Sequence, residues 1–221
     1  MILCIADILD AAGLAALRAS LVGGVYVDGV TTAGWAARLV KRNEQIGAGP
    51  AAAAAQEQVV AALAANGVFA AAVMPRRFAP PLFSRYTPGM EFGTHMDNAL
   101  MGAEKLRTDV SVTLFLSEPD EYDGGELVME TTAGEVAYKL PAGSAVAYPS
   151  TMLHRVAAVT RGTREVAVTW AQSLVRSAEQ RELIFDLERV SRALFDRDGK
   201  TEQFDLLNKS TANLRRMWAE T

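Results

Sequence analysis

Val110-Ser111-Val112-Thr113-Leu114-Phe115-Leu116 puts Val110, Val112, Leu114 and Leu116 on one face of an extended chain. An alternation of this kind predicts a strand with one dry and one wet side. Working outward, Val136, Tyr138 and Leu140 repeat the pattern. From Phe78 to about Ser173 short apolar runs are separated by turn signals: Pro88-Gly89, Asp123-Gly124-Gly125, Ala133-Gly134, Pro141-Ala142-Gly143 and Arg161-Gly162. Several strands at such spacing point to a sandwich or barrel. Closed into a jelly roll, they leave a mouth where a metal and a small ligand can sit.

On either side of this stretch the spacing is helical. Leu14, Leu17 and Leu21 predict a helix over 8–21, Leu39 and Val40 one over 35–42, and Val59, Val60 and Leu63 one over 51–65 with Asn66-Gly67 as its C-cap. Beyond Arg176, Leu183, Leu187, Val190 and Leu194 form a stripe, and Leu206, Leu207, Leu214, Met217 and Trp218 suggest a second helical segment. The expected class is α+β. Residues 1–76 are read as helical support, 77–176 as the jelly-roll domain and 177–221 as a helical extension, and these helical flanks offer a homodimer surface.

With 221 residues, 50% of them hydrophobic, the chain can bury one domain-sized core, and two domains stay open. The single cysteine, Cys4, excludes an intrachain disulfide and any CxxC zinc or redox motif, and is read as a core residue. The opening Met-Ile-Leu-Cys-Ile-Ala-Asp has no basic region and its apolar run stops at Asp7, so no secretion leader is expected. No apolar run approaches the ~20 residues of a membrane span. A cytoplasmic location is the default. A net charge of -4 argues against a broad nucleic-acid footprint, leaving a small molecule or peptide as substrate.

The chain has two histidines, His95 and His154, and the first sits in His95-Met96-Asp97. Residues i and i+2 of a strand project from one face, so His95 and Asp97 can grip one ion, with His154 arriving from another strand on an inward position shared with Val156 and Ala158. Two imidazoles and a carboxylate form the facial triad of non-haem Fe(II) oxygenases, which leaves three coordination sites open for a 2-oxo acid and O2. Arg164 shares parity with Val166, Val168 and Trp170 on the dry face of its strand. A guanidinium buried there is explained by a ligand carboxylate, or by an internal partner such as Asp109 or Glu126. The same triad residues fit a zinc hydrolase, though no HExxH-type glutamate stands beside them, or a non-catalytic cupin-like iron sensor, which needs no carboxylate clamp.

Tyr86-Thr87-Pro88-Gly89, Phe92 to Ala99, Asp123-Gly124-Gly125-Glu126-Leu127 and His154 through Arg164 to Trp170 together resemble the 2-oxoglutarate dioxygenases of the prolyl 4-hydroxylase superfamily. More narrowly, Asp28-Gly29, Thr32-Ala33-Gly34 and Val40-Lys41 resemble the bacterial PKHD-type hydroxylases, a family linked to iron uptake. The resemblance covers nearly the whole chain. It implies a double-stranded β-helix core, Fe(II) on His95, Asp97 and His154, and 2-oxoglutarate on Arg164. Collagen-type relatives commonly place lysine at that clamp, so prolyl specificity does not transfer. L-ascorbate dependence is implied by the resemblance alone. Tyr86 is implied to donate to the cosubstrate or, equally, to line the barrel. Asn98 either orients the metal shell or the substrate, or forms a turn. Gly124-Gly125 reads as a tight turn, and no glycine-rich phosphate cradle is present.

Overall fold

The computed structural model describes residues 1–220. Its larger sheet runs in the spatial order Leu3–Ile5, Ala145–Pro149, Val110–Phe115, Arg164–Ser173, Leu82–Tyr86, Glu44–Ile46 and Tyr26–Asp28, and Pro75–Phe78 also pairs with Arg164–Ser173. A smaller sheet runs Gly134–Tyr138, Leu127–Thr131, His154–Val156, Glu91–His95 and Lys41–Arg42. The two sheets stack as a jelly roll. Phe115, Val146, Tyr148 and Val166 from the larger one pack against Leu127 and Met129 from the smaller.

Strand Val110–Phe115 is buried at every residue, which corrects the expectation of a wet side. Val110, Val112 and Leu114 face outward into a core that also contains Leu17, Val59, Leu63 and Phe69. Those four residues belong to three helices, α1 (Ala11–Leu21), α2 (Pro50–Ala65) and α3 (Gly67–Val73). Ser111, Thr113 and Phe115 face the space between the sheets. The reading of Val136 as dry is also corrected: Gly134–Tyr138 is an edge strand, Val136 is exposed, and Tyr138 alone of its residues joins the inter-sheet cluster.

Helix α1 begins where Asp10 accepts from the Gly13 amide at 2.7 Å. Helix α2 ends at Asn66 as expected, its amide donating to the Ala62 and Leu63 carbonyls. Asn66 is extended, and its Oδ1 accepts from the amides of Val68 and Phe69, so it is the N-cap of α3. The resulting bend of 82° lays both helices on the sheet. No helix spans 35–42: a 3-10 turn at Ala37–Leu39 leads into the strand Lys41–Arg42, which pairs with Glu91–His95. Sheet pairing outweighs the weak helical pattern there. Residues 1–76 therefore supply four strands and the start of a fifth as well as helices. Cys4 is exposed on the edge strand Leu3–Ile5, contrary to the core reading.

Two further helices, α4 (Ala178–Asp198) and α5 (Glu202–Trp218), start on the caps Ser177 and Thr201. The expected stripe on α4 is displaced by one position, since Ile184 and Phe185 are buried while Leu183 and Val190 are exposed. Ile184 packs with Met74 and Val175, and Leu214 and Trp218 of α5 close over them. Among the described residues no single helix is long and apolar enough to cross a membrane.

Because α2 covers the outer face of the sheet that carries Arg164, truncating its fully buried Leu63 tests how far the helices support the roll. Leu63→Ala should cost about 2–5 kcal/mol of unfolding free energy, read from the urea midpoint at unchanged slope. A loss below about 1 kcal/mol would show α2 to be dispensable packing.

Candidate metal centre

In the smaller sheet His154 is the register partner of His95. Directly opposed residues of an antiparallel pair share a face, so the two imidazoles meet, with ring centroids 4.3 Å apart. His95 ends its strand and Asp97 lies two residues further on, outside it. One ligating atom each from His95, Asp97 and His154 lies within 4.8 Å of the others, and His154 Nε2 is 3.8 Å from Asp97 Oδ2. The strand carrying His154 ends at Val156, so Ala158, expected on the same inward face, lies outside it and is exposed.

Each imidazole is oriented by its own chain. His95 Nδ1 lies 2.8 Å from the Gly93 carbonyl and His154 Nδ1 3.0 Å from the Met152 carbonyl. A carbonyl only accepts, so both Nδ1 atoms carry the proton and both Nε2 lone pairs are free for a metal. Burial, and then the neighbouring His154, push the His95 imidazolium down to about 4 against the pull of the Gly93 carbonyl and Asp97. The ring is therefore neutral near pH 7, the state a metal requires. Phe92 stacks on His95 with centroids 3.6 Å apart, and Tyr148 meets His154 edge-on at 5.1 Å.

Residues that the strand pattern left unassigned complete the centre. Ser111 Oγ donates to Asp97 Oδ2 at 2.6 Å, and Ser150 Oγ lies 2.8 Å from Ser111 Oγ. Both serines are buried. The signal for Ser111 was its parity, opposite to Val110 and Val112, which was read as solvent and is in fact the interior of the roll.

Arg164 is 1% exposed, and its Nε and Nη1 have no hydrogen-bond partner among the described residues. Neither expected internal partner serves it. Asp109 is held by Arg107 Nε at 2.8 Å and by the Ser173 amide at 2.9 Å, and no ion pair joins Arg164 to Glu126 or any other described acid. The guanidinium lies 5.0 Å from the ring centre of Tyr86, its neighbour in register, and 5.7 Å from that of Phe115. Gly125 makes room for it: a Cβ there would stand 3.0 Å from Arg164 Cδ. Gly124 ends the strand Tyr122–Gly124 at a bulge against Val159, and with φ at +71° a Cβ there would stand 2.0 Å from the Ala158 carbonyl oxygen, so the pair serves a close approach of two strands in place of the expected tight turn. Tyr86 is 3% exposed, and burial pushes its phenol up, keeping it a neutral donor.

A cavity of about 790 Å³ joins the triad, Arg164, Tyr86 and Asn98. Asn98 packs against Gly34, where a Cβ would come within 2.7 Å of its Oδ1, and among the described residues no hydrogen bond links its side chain to the triad. Two nitrogens and one carboxylate oxygen suit a mononuclear divalent ion with open positions, and the orphaned guanidinium suits an acid bound beside it. The donor set and the cavity thus fit both groups.

A jelly roll of this kind, with a metal-ready face and an unpaired cation in one cavity, defines a 2-oxoglutarate-dependent non-haem iron dioxygenase, and the comparisons agree. Residues 81–172 match the family model of the 2OG-Fe(II) oxygenase superfamily, a span that includes the triad, Tyr86 and Arg164. The chain is 53% identical to a PKHD-type hydroxylase of Picosynechococcus over 98% of both chains, and 51% identical to one of Gloeothece citriformis over 100% of both. A solved prolyl-4-hydroxylase of Pseudomonas putida shares the fold, with a TM-score of 0.52 at 24% identity over 78% of this chain and 92% of that one. The protein belongs to the PKHD-type hydroxylase family. The zinc-hydrolase and metal-sensor alternatives give way to this assignment.

Replacing Ser111 by Ala should leave the fold intact and weaken metal binding by roughly 10- to 100-fold, the usual cost of losing a hydrogen bond behind a ligand. Anaerobic titration with Fe(II) or Mn(II) measures it, and unchanged affinity would show that Asp97 needs no support from the larger sheet.

Proposed function

We propose that this protein hydroxylates a C–H bond of a small molecule or peptide and couples that step to oxidative decarboxylation of 2-oxoglutarate to succinate and CO2. His95, Asp97 and His154 would hold Fe(II) through two Nε2 atoms and one carboxylate oxygen. When bound, the iron and 2-oxoglutarate supply O2 activation and the oxidising power. The protein's own part is placement. Arg164 receives the distal carboxylate of 2-oxoglutarate, and Tyr86, on the adjacent strand, donates to the same end. Phe92, Tyr148 and Leu127 line the space around the ligands and exclude bulk water from it.

The observation that carries this reading is the guanidinium of Arg164. A buried cation without an anion costs several kcal/mol, roughly, and this one sits in the wall of the cavity that holds the triad. A resident ligand carboxylate offsets that cost. The larger sheet holds the side chain rigidly, with Tyr86 and Phe115 on either side, so little ordering is left to do on binding. Asn98 is read as a wall of the substrate space held by Gly34, not as support for the metal. A role in iron supply and a need for L-ascorbate as reductant rest on the family resemblance alone.

Anaerobic addition of Fe(II) and 2-oxoglutarate should produce a visible metal-to-ligand charge-transfer band that needs both partners and is lost in His154→Ala. Arg164→Met should retain the band but raise the 2-oxoglutarate Kd roughly 30-fold or more, the consequence of the 2 kcal/mol or above that accompanies loss of one partner from a buried charge pair. A folded, metal-loaded wild type without the band would overturn the reading, and an unchanged Kd would remove Arg164 from it.

A further inference from the structure

Between the strands Lys41–Arg42 and Glu44–Ile46 the chain crosses from the smaller sheet to the larger one and walls one side of the cavity. Lys41, Asn43 and Gln45 alternate with the less buried Arg42 and Glu44, so all three polar side chains point inward, where each is at least nine-tenths buried and lines the cavity. Apolar residues are the norm in such positions. Gln45 is satisfied, accepting from Thr32 Oγ1 at 2.6 Å and donating to Ser84 Oγ at 3.0 Å. The other two are not. Lys41 Nζ donates to Thr32 Oγ1 at 3.0 Å and forms no ion pair among the described residues, leaving donors of its ammonium uncommitted. Asn43 has no partner for either amide atom.

We propose that Lys41 forms a second anion subsite that holds a carboxylate of the molecule to be hydroxylated, a proposal that rests on the reading of Arg164 as the clamp for 2-oxoglutarate. The two cations stand over different rings. Arg164 lies over Tyr86 and Phe115, whereas Lys41 Nζ lies 5.2 Å from the ring centre of Phe92, which stacks on His95. Lys41 therefore flanks the metal centre from the smaller sheet. Burial pulls the Lys41 ammonium down to about 8, and Asp97 and then Asp28 oppose that fall. Asp97 is one of the three metal-holding residues, and an ion there neutralises its charge. A loaded centre then leaves Lys41 unbalanced. Thr32, accepting from Lys41 and donating to Gln45, fixes the ammonium direction before any ligand arrives. The substrate class that fits carries an anionic carboxylate a short distance from the C–H bond presented to the metal.

The test uses full-length protein loaded with Mn(II) and saturated with 2-oxoglutarate, with acetate as the carboxylate probe and paramagnetic broadening of its methyl proton resonance as the readout. Wild type and Lys41→Arg should broaden acetate, Lys41→Met should lose at least tenfold of the effect, and the 2-oxoglutarate Kd should stay within about threefold in both variants. Broadening that Lys41→Met leaves unchanged would mean acetate sits on the metal, and overturns the proposal. So does a large rise in the 2-oxoglutarate Kd of Lys41→Met, which would assign Lys41 to the cosubstrate. Wild type that does not broaden acetate overturns it without any variant, should Lys41→Met fail to fold. Failure of wild type to bind 2-oxoglutarate would instead sink the reading of Arg164.

Discussion

The antiparallel register that sets His154 opposite His95 is the constraint on which the metal centre depends. Side chains alternate along a strand, so a slip of one residue would turn one imidazole to the other face of the sheet. The register is held from both sides of the His154 strand, by Leu127 and Met129 against Val156 and His154, and by Phe92 against Val156. Asp97, past the end of its strand, has no ladder to fix it. Its position comes from Ser111, a residue of the larger sheet, and so from the stacking of one sheet on the other.

That dependence explains why the roll is packed on its outside as well as its inside. The interior is unusually polar: Ser111, Thr113, Asn43, Lys41 and Arg164 are all buried there, and several have unmet hydrogen-bonding capacity. Such groups favour unfolding unless ligands complete them. The compensating apolar burial lies on the opposite face of the larger sheet, where Val112, Leu114 and Ala167 meet Leu17, Val59, Leu63 and Phe69 of the helices. One sheet thus carries stability on one face and chemistry on the other. The C-terminal helices extend this arrangement at the end of the long strand Arg164–Ser173 through Val175 and Ile184.

The parts legible in the sequence were those whose signal is local or chemically rare. Two histidines, one followed at the second position by aspartate, allow few metal sites, and an arginine in a run of valines is conspicuous at any position. Turn residues marked the strand boundaries closely. Most of the failures share a cause, which is that periodicity reports which residues share a face and not what covers that face. Strand Val110–Phe115 alternates as if one side were wet, yet helices cover one side and a cavity lies on the other. Residues 35–42 carry a weak helical pattern that pairing with Glu91–His95 overrides, and on α4 the buried side is centred on Ile184 and Phe185, one position away from the leucine stripe.

The sequence by itself determined the candidate donors, the strand-rich middle and the parity that puts Arg164 on the same face as Val166, because residue type and a period of two are properties of the chain alone. Only the tertiary structure decided that His154 faces His95, that Ser111 holds Asp97, that the Ser173 amide engages Asp109, and that Lys41 turns inward with Thr32 as its one hydrogen-bond partner and Asn43 with none. These are contacts between segments far apart in the chain, set by how two sheets stack, and no local pattern encodes them.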